Sequence, residues 1–176
     1  ITTLSAETLR KTLSYIPQDP FLFSISIDDN IKYASQSQLS RDSASKMACL
    51  DSDIQAFPNL YDTIVGERGI LLSGGQKSRL TLARALYKSH QLLIVDDVLS
   101  AVDHSTEHHL IQTLFSLTPR PTTLLISHRI SSLVNCDQIY VIDNGEIIDQ
   151  GTHSELITKK GIYQATWQYQ AMETHS

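Results

Sequence analysis

The chain has 176 residues, of which 41% are hydrophobic and 19% charged, the profile of an ordinary globular domain. Its net charge of −5 argues against a nucleic-acid-binding protein, because a broad phosphate-binding face needs clustered Lys and Arg. No apolar run approaches the ~18–20 residues that span a bilayer. We therefore expect any membrane association to come from another segment or a partner. The two cysteines, Cys49 and Cys136, show no metal-binding spacing, which favours a reducing cytosolic compartment.

The first stretch, to about residue 23, is predicted to hold a short helix and a strand. Ser5 suits the start of the helix, because a serine side chain can accept from free first-turn N–H groups. Residues 13–16 read as a β-rich run. Pro17 and Pro20 then break any helix and leave an exposed loop around Gln18.

The second stretch, residues 24–88, is predicted to be mainly helical. Ser26 precedes acidic residues that suit the positive end of a helix dipole. Ser40 precedes a segment whose apolar residues recur at three- and four-residue spacing. A further apolar stripe begins after Gln76. These patterns predict at least three helices in this stretch.

The third stretch alternates strands and helices. Residues 92–95 and 122–126 are short apolar or β-branched runs, as expected for parallel strands that are buried on both faces. A predicted helix over residues 105–117 lies between them and completes a βαβ unit.

A hairpin is predicted near the end of the chain. Residues 138–142 and 146–149 flank an Asn144-Gly145 pair, which satisfies the positive φ angles of a type I′ turn. The tail after His153 is predicted to be helical.

The strongest chemical signal is the sequence Leu-Ser-Gly-Gly-Gln at residues 72–76. Gly74 and Gly75 allow backbone N–H groups to approach an anion, and the helix that follows points its positive end at the same place. Ser73 adds a hydroxyl donor. The alternative interpretation is an ordinary glycine-rich turn before a helix. No stretch of the 176 residues matches the P-loop pattern G-x-x-x-x-G-K-[ST].

Acidic and histidine side chains follow the two predicted strands. Asp96 and Asp97 come directly after residues 92–95, at the strand end where α/β proteins bind ligands. Asp96 would hold Mg²⁺ through water, and Asp97 would face an attacking water. Alternatively, one aspartate caps the next helix and the other is solvated. His128 follows the second strand and could reach a phosphate oxygen, although a histidine there could equally be structural or solvated.

Together these residues resemble the nucleotide-binding domain of ABC transporters, and the resemblance covers essentially the whole chain. The sequence around Gln18 resembles the Q-loop. Residues 72–76, which end at Gln76, resemble the signature motif. The three remaining motif residues are Asp96, similar to the Walker B aspartate, Asp103 in a D-loop-like segment, and His128, similar to the switch histidine.

The resemblance implies a fold. It is a P-loop NTPase-like (RecA-like) α/β core with a mostly parallel sheet, built from residues 1–23 and 89–176. Residues 24–88 would form an inserted helical subdomain that carries the signature. We expect the sequence to be truncated upstream, before the P-loop.

Finer likenesses point to the exporter branch. Residues 65–69, Val-Gly-Glu-Arg-Gly, resemble the exporter segment that contacts coupling helices, and residues 21–24 and 61–63 are also similar to exporter sequence. The chain resembles in particular the multidrug-type bacterial half-transporters that assemble as heterodimers. Transmembrane domains on the same full-length polypeptide, and a location at the cytoplasmic face of the plasma (inner) membrane, are therefore expected.

The resemblance also implies a mechanism in which two domains sandwich two ATP molecules with Mg²⁺. Ser73, Gly74 and Gly75 would serve ATP held by the partner domain. This chain's own site would use four residues: Gln18, Asp96, Asp97 and His128. Gln18 and Asp96 would be the contacts of Mg²⁺.

Residue 97 departs from the family pattern, because competent sites usually carry Glu after the Walker B aspartate. The Asp97 carboxylate would fall roughly 1–1.5 Å short of the water, and such a misplacement can cost about 10²-fold in rate. We expect this chain's own site to bind ATP and hydrolyse it slowly.

Three alternatives remain open. The first is a soluble ABC-type ATPase of DNA repair or translation, which would share the signature, Asp96 and His128 but lack the exporter-like residues 65–69. The second is a non-catalytic module that dimerises on ATP. The third is that the isolated 176 residues, without a P-loop, form an inactive fragment.

Overall fold

A computed structural model of the chain describes residues 5–33, 37, 39–67 and 69–173. The chain divides into two compact units, residues 1–126 and 127–176. The described helices, in chain order, are α1 (Ala6–Thr12), α2 (Ile27–Ile31), α3 (Arg41–Met47), α4 (Asp51–Ala56), α5 (Gly74–Tyr87), α6 (His104–Phe115), α7 (His153–Leu156) and α8 (Ile162–Glu173). The described strands are β1 (Leu13–Ile16), β2 (Leu92–Asp96), β3 (Thr122–Ile126), β4 (Ile139–Asp143) and β5 (Glu146–Gly151).

The first unit is built on a parallel sheet with strand order β1-β2-β3. Tyr15 of β1 pairs with Ile94 of β2, and Asp96 of β2 pairs with Ile126 of β3. Helix α6 connects β2 to β3, which confirms the predicted βαβ unit. Because all three strands run the same way, their carboxyl ends meet at one edge of the sheet.

The expectation that both strands are buried on both faces is wrong for β3. Strand β2 alternates buried and half-buried residues, with Leu93 and Val95 fully buried. In β3, Leu124 and Ile126 are about half exposed. Within the described residues β3 lies at the edge of the sheet, where it pairs with β2 alone. An apolar run by itself does not distinguish a central strand from an edge strand.

Serine caps begin the three predicted helices of the first half. The side chains of Ser5, Ser26 and Ser40 each accept a hydrogen bond from the backbone N–H three residues later. These contacts satisfy donors that the first helical turn cannot pair internally. The predicted helix starts are therefore confirmed. Helix α4, for which no separate prediction was made, begins after Leu50 without a side-chain cap.

Helices α2 to α5 occupy the interval between β1 and β2. Arg84 of α5 joins this group to the loop after β1: its guanidinium donates to the carbonyl and side-chain oxygens of Asn30 and to the carbonyl of Phe21. Asn30 in turn donates to the carbonyls of Phe23 and Ser26. Burial lowers the pKa of Arg84. The division into a core and a helical subdomain at residues 24–88 stays a prediction.

The second unit contains the hairpin and the two C-terminal helices. Asn144 and Gly145 have φ angles of 49° and 82°, as the predicted hairpin turn requires. Its small buried core consists of Ile130, Ile139, Leu156 and Tyr163. Helices α7 and α8 confirm the helical tail.

Candidate nucleotide site

The signature, residues 72–76, forms the start of the longest described helix, α5. Ser73 is the N-cap: its Oγ accepts from Gln76 N at 3.2 Å. The Gln76 side chain completes the cap, because its Oε1 accepts from Ser73 N at 2.9 Å. Ser73 and Gln76 thus form a capping box that fixes the first turn. The sequence predicted that Ser73 supplies a hydroxyl donor; since Oγ accepts from Gln76, its hydroxyl hydrogen is left for that purpose.

The two glycines of the signature have different surroundings. A Cβ atom on Gly74 would meet no other atom within 4 Å, whereas a Cβ on Gly75 would lie 3.1 Å from the carbonyl oxygen of Ala101. The N–H groups of both residues belong to the first turn and have no partner within the helix. Gly74 therefore leaves room for an anion to approach the positive end of α5. Gly75 allows the same helix end to pack on the segment after β2.

The second part of the candidate site lies at the carboxyl ends of β1 and β2. Tyr15, near the end of β1, donates its hydroxyl hydrogen to Asp96 Oδ2 across 3.0 Å. This hydrogen bond to the Asp96 carboxylate raises the pKa of Tyr15. Gln18 follows β1 in the loop and is exposed. The register thus brings the end of β1 and Asp96 to one sheet edge, while the joint contact of Gln18 and Asp96 with Mg²⁺ stays a prediction.

Asp97 sits at a strained backbone position directly after β2. Its φ angle is 46°, in the left-handed region, which Asp adopts more readily than most residues. The Asp97 N–H donates to the Ile126 carbonyl at 2.9 Å, and its carbonyl accepts from Ser100 Oγ at 2.7 Å. The residue is buried, and its side chain does not cap the 3₁₀ turn that follows at Val98–Ala101. Hydrogen bonds to both its N–H and its carbonyl therefore fix the backbone of Asp97.

Asp103, proposed from the D-loop resemblance, is the N-cap of α6. Its Oδ1 accepts from the Ser105 hydroxyl at 2.6 Å and from Thr106 N at 3.0 Å. These hydrogen bonds, with that from Ser105 the strongest, hold the pKa of Asp103 well below its usual value. The helix begins at His104, one residue before the predicted start. The carboxylate therefore has a structural role in this chain.

His128 belongs to the second unit, near its first residue. Its side chain is exposed, and its backbone carbonyl accepts from Gln170 Nε2 at 2.6 Å. Gln170 lies on α8, so this helix helps to fix the backbone around His128. The role of His128 in a nucleotide site stays a prediction.

One contributor to the signature was not found from the sequence. Asp53 of α4 accepts from Gln76 Nε2 at 3.0 Å and from Arg79 Nη2 at 2.6 Å. It lies 23 residues before Gln76, and no local pattern marks it out from Asp51 on the same helix. Only the side-chain hydrogen bonds that α5 donates to α4 identify it. Of the exporter-like residues 65–69, Arg68 lies outside the described residues.

The residues present fit ATP and Mg²⁺. The Asp96 carboxylate already accepts a hydrogen bond at the sheet edge, and carboxylate and amide oxygens such as those of Asp96 and Gln18 are the hard ligands that Mg²⁺ prefers. The open space above Gly74, at the end of a helix whose first-turn N–H groups face outward, suits a phosphate. The chain thus offers two separate groups of residues, one whose chemistry suits an anion and one whose chemistry suits a cation.

Residues 1–100 match the ABC transporter family. The chain belongs to this family. It is 40% identical over 166 residues to the mitochondrial ABC transporter B family member 24 of Arabidopsis thaliana, covering 93% of this chain and 24% of that protein. It is 40% identical over 176 residues to the multidrug resistance-like ATP-binding protein MdlA of Buchnera aphidicola, covering 97% of this chain and 30% of that protein.

A solved structure supports the fold. The ATP-bound structure of a bacterial Atm1-family ABC exporter matches 97% of this chain and 30% of that one, with a TM-score of 0.90 and 38% identity. The P-loop NTPase-like α/β fold predicted from the sequence is therefore confirmed. The chain spans about a quarter to a third of the length of these relatives. In its described part, no helix combines the length and hydropathy needed to cross a membrane.

Proposed function

We propose that this chain is the ATP-binding and ATP-hydrolysing portion of an ABC-type exporter. In such a protein, closure of two nucleotide-binding domains around ATP drives the movement of substrate across a membrane. The observation that carries the proposal is the open helix end at Gly74. The same chain also has two consecutive carboxylates, Asp96 and Asp97, at the end of a strand. The 38% identity to an Atm1-family ABC exporter supports the exporter branch.

The signature serves ATP that is held by a second nucleotide-binding domain. The N–H groups of Gly74 and Gly75 donate to phosphate oxygens, and the Ser73 hydroxyl adds a third donor. Gln76 holds the turn through its bond to Ser73 N. Because these donors are fixed before ATP arrives, little reorganisation is needed on closure.

This chain's own site uses residues at the carboxyl ends of the strands. Asp96 and Gln18 hold Mg²⁺, which neutralises phosphate charge when it is bound. Asp97 accepts a hydrogen bond from the attacking water, and His128 orients the water or a phosphate oxygen. Since the Asp97 carboxylate is one methylene shorter than that of a glutamate, this site turns over slowly.

The complete assembly is proposed to be a heterodimer at the cytoplasmic face of the plasma (inner) membrane. Transmembrane domains on the same polypeptide carry the substrate, and residues 65–69 contact their coupling helices. The partner's site, completed by the intact signature of this chain, performs most of the hydrolysis. Phosphate contacts that form only in the closed state shift the population toward closure.

The 176 residues by themselves are proposed to hydrolyse no ATP, because they contain no P-loop pattern. An alternative function is a non-catalytic module that dimerises on ATP, which the shorter Asp97 favours. ATP turnover by the complete protein distinguishes the two, since the alternative predicts tight ATP-bound dimers without release of phosphate.

Gly74→Asp tests the proposed function in the complete protein. The added carboxylate has space in the fold, but it would lie next to the phosphates and lower ATP turnover by about 100-fold or more. Gly161→Asp is the matched control, because a Cβ at Gly161 also meets no atom within 4 Å. Equal turnover in both variants would refute the assigned role of the signature.

A further inference from the structure

Asp53 of α4 contacts the first turns of the signature helix from outside the signature. Its Oδ1 accepts from Gln76 Nε2 at 3.0 Å, and its Oδ2 accepts from Arg79 Nη2 at 2.6 Å. The side chains of Asp53 and Arg79 are only 18% and 14% exposed. Solvent therefore screens this ion pair less than an exposed one. Both carboxylate oxygens are committed to α5.

The carboxylate determines which way the Gln76 amide faces. With Nε2 directed at Asp53, the amide oxygen Oε1 is directed at Ser73 N, which donates to it across 2.9 Å. In the reversed orientation, Oε1 would face a carboxylate oxygen and the NH₂ group would face the Ser73 N–H. Both contacts would then be repulsive, so Asp53 selects one orientation of Gln76.

The orientation of Gln76 affects the position of the groups that would contact a ligand. Gln76 N donates to Ser73 Oγ at 3.2 Å while Gln76 Oε1 accepts from Ser73 N, so the two residues hold each other in one geometry. The Ser73 hydroxyl hydrogen and the Gly74 N–H lie on the same turn. A relay of hydrogen bonds therefore runs from Asp53 through Gln76 to Ser73.

We propose that Asp53 is a positioning residue for the signature, which fixes the phosphate-binding turn at Ser73 and Gly74 through the Gln76 amide. That the bound phosphate belongs to ATP held by a second domain rests on the proposed function. The fixed orientation of Gln76 is a property of this chain alone and can be tested without nucleotide.

Asp53→Asn tests the relay because asparagine has one acceptor oxygen in place of two. The stronger donor, the Arg79 guanidinium, retains that oxygen, and the new NH₂ group faces Gln76 Nε2. Gln76 must then rotate or withdraw, and either movement removes the acceptor from Ser73 N. Asp51→Asn is the matched control, since it makes the same change of charge on an exposed residue of the same helix. Asp53→Glu restores the carboxylate.

The first readout is hydrogen exchange and amide NMR of the chain without nucleotide. In Asp53→Asn, we expect Ser73 N–H to exchange about tenfold faster, the effect of losing one such hydrogen bond. The Gln76 side-chain amide signals should shift, while exchange at Leu82, in the middle of α5, stays unchanged. Asp51→Asn should match the wild type, and Asp53→Glu should restore most of the Ser73 protection.

Two results would overturn the proposal. One is unchanged exchange at Ser73 in Asp53→Asn. The other is faster exchange throughout α5, Leu82 included, which would mean that Asp53 merely stabilises the fold. If Asp53→Asn does not fold, Asp53→Ala decides by the same criterion, because it removes the acceptor of Gln76 Nε2 and places a strong helix former in α4.

The second readout is ATP turnover by the complete protein. Asp53→Asn should raise the KM for ATP about tenfold, as loss of fixed phosphate donors predicts, with a smaller effect on kcat. Asp51→Asn should leave both constants unchanged. A wild-type protein without turnover would refute the proposed function and leave the exchange result standing. Unchanged KM in an active Asp53→Asn protein would overturn the role of Asp53 toward the ligand.

Discussion

The carbonyl oxygen of Ala101 lies 3.1 Å from the position that a Cβ atom would occupy on Gly75. This contact joins the first turn of α5 to the 3₁₀ turn at Val98–Ala101. The same turn begins at Asp97, whose carbonyl accepts from Ser100 Oγ. The signature and the acidic strand end are therefore packed together within one unit, although 21 residues (97 minus 76) separate them along the chain.

Gly75→Ala should destabilise the chain, whereas Gly74→Ala should not. The new Cβ at residue 75 would press on a backbone oxygen that cannot move away freely, at a cost of about 1–3 kcal/mol. At residue 74 the Cβ has open space, and alanine favours the helix by up to about 1 kcal/mol over glycine. Urea unfolding of both variants measures the difference. Equal midpoints would show that the Ala101 contact has no energetic weight.

Asp97→Glu should increase hydrolysis at this chain's own site in the complete protein. The longer side chain brings the carboxylate to the water, with a gain of about 10- to 100-fold. Asp97→Asn is the control, because asparagine tolerates the left-handed φ of 46° but cannot act as a base. Single-site turnover with the partner's P-loop inactivated gives the measurement. No gain in the glutamate variant would count against the slow-site proposal.

Arg84→Ala should lower the free energy of unfolding by about 3 kcal/mol, since it leaves two partly buried acceptors on Asn30 without their charged donor and also removes an exposed hydrogen bond to the Phe21 carbonyl. Lys77→Ala, at an exposed position of the same helix, should change it by less than about 0.5 kcal/mol. Denaturant unfolding monitored by circular dichroism provides the comparison. Similar losses in both variants would contradict the role assigned to Arg84.

The Asp103 cap should make stability depend on pH in the acidic range. Its pKa in the folded chain lies below the ordinary value of 3.8, so the carboxylate stabilises the native state above that pH. This contribution is lost as the pH falls toward the lower folded pKa. Asp103→Asn keeps a good capping side chain that does not titrate. The urea midpoint of the wild type should therefore fall more than that of the variant between about pH 5 and pH 2. Parallel curves would exclude this linkage.

Features decided by neighbouring residues were predictable from the sequence. The caps at Ser5, Ser26 and Ser40 depend on contacts three residues apart, and the Asn144-Gly145 turn depends on two φ angles. The start of α6 was predicted at Ser105, one residue late, and the N-cap role of Asp103 was not predicted.

Features decided by packing were not predictable from this sequence alone. Nothing local shows that β3 lies at the edge of the sheet formed by the described residues, and its Leu124 and Ile126 look like core residues in the sequence. Asp53 acts on residues 23 and 26 positions away, so no window around it reveals its partners. The left-handed backbone conformation of Asp97 likewise depends on how the chain passes from β2 into the 3₁₀ turn.

The central claim is that the signature of this chain completes an ATP site on a second domain. A double-mutant cycle in the complete protein with its partner tests it most directly. One variant is Gly74→Asp here, and the other replaces the P-loop lysine of the partner domain. If both residues serve one site, the double variant should lose no more turnover than either single variant. Losses that multiply would place the two residues in different sites and contradict the account.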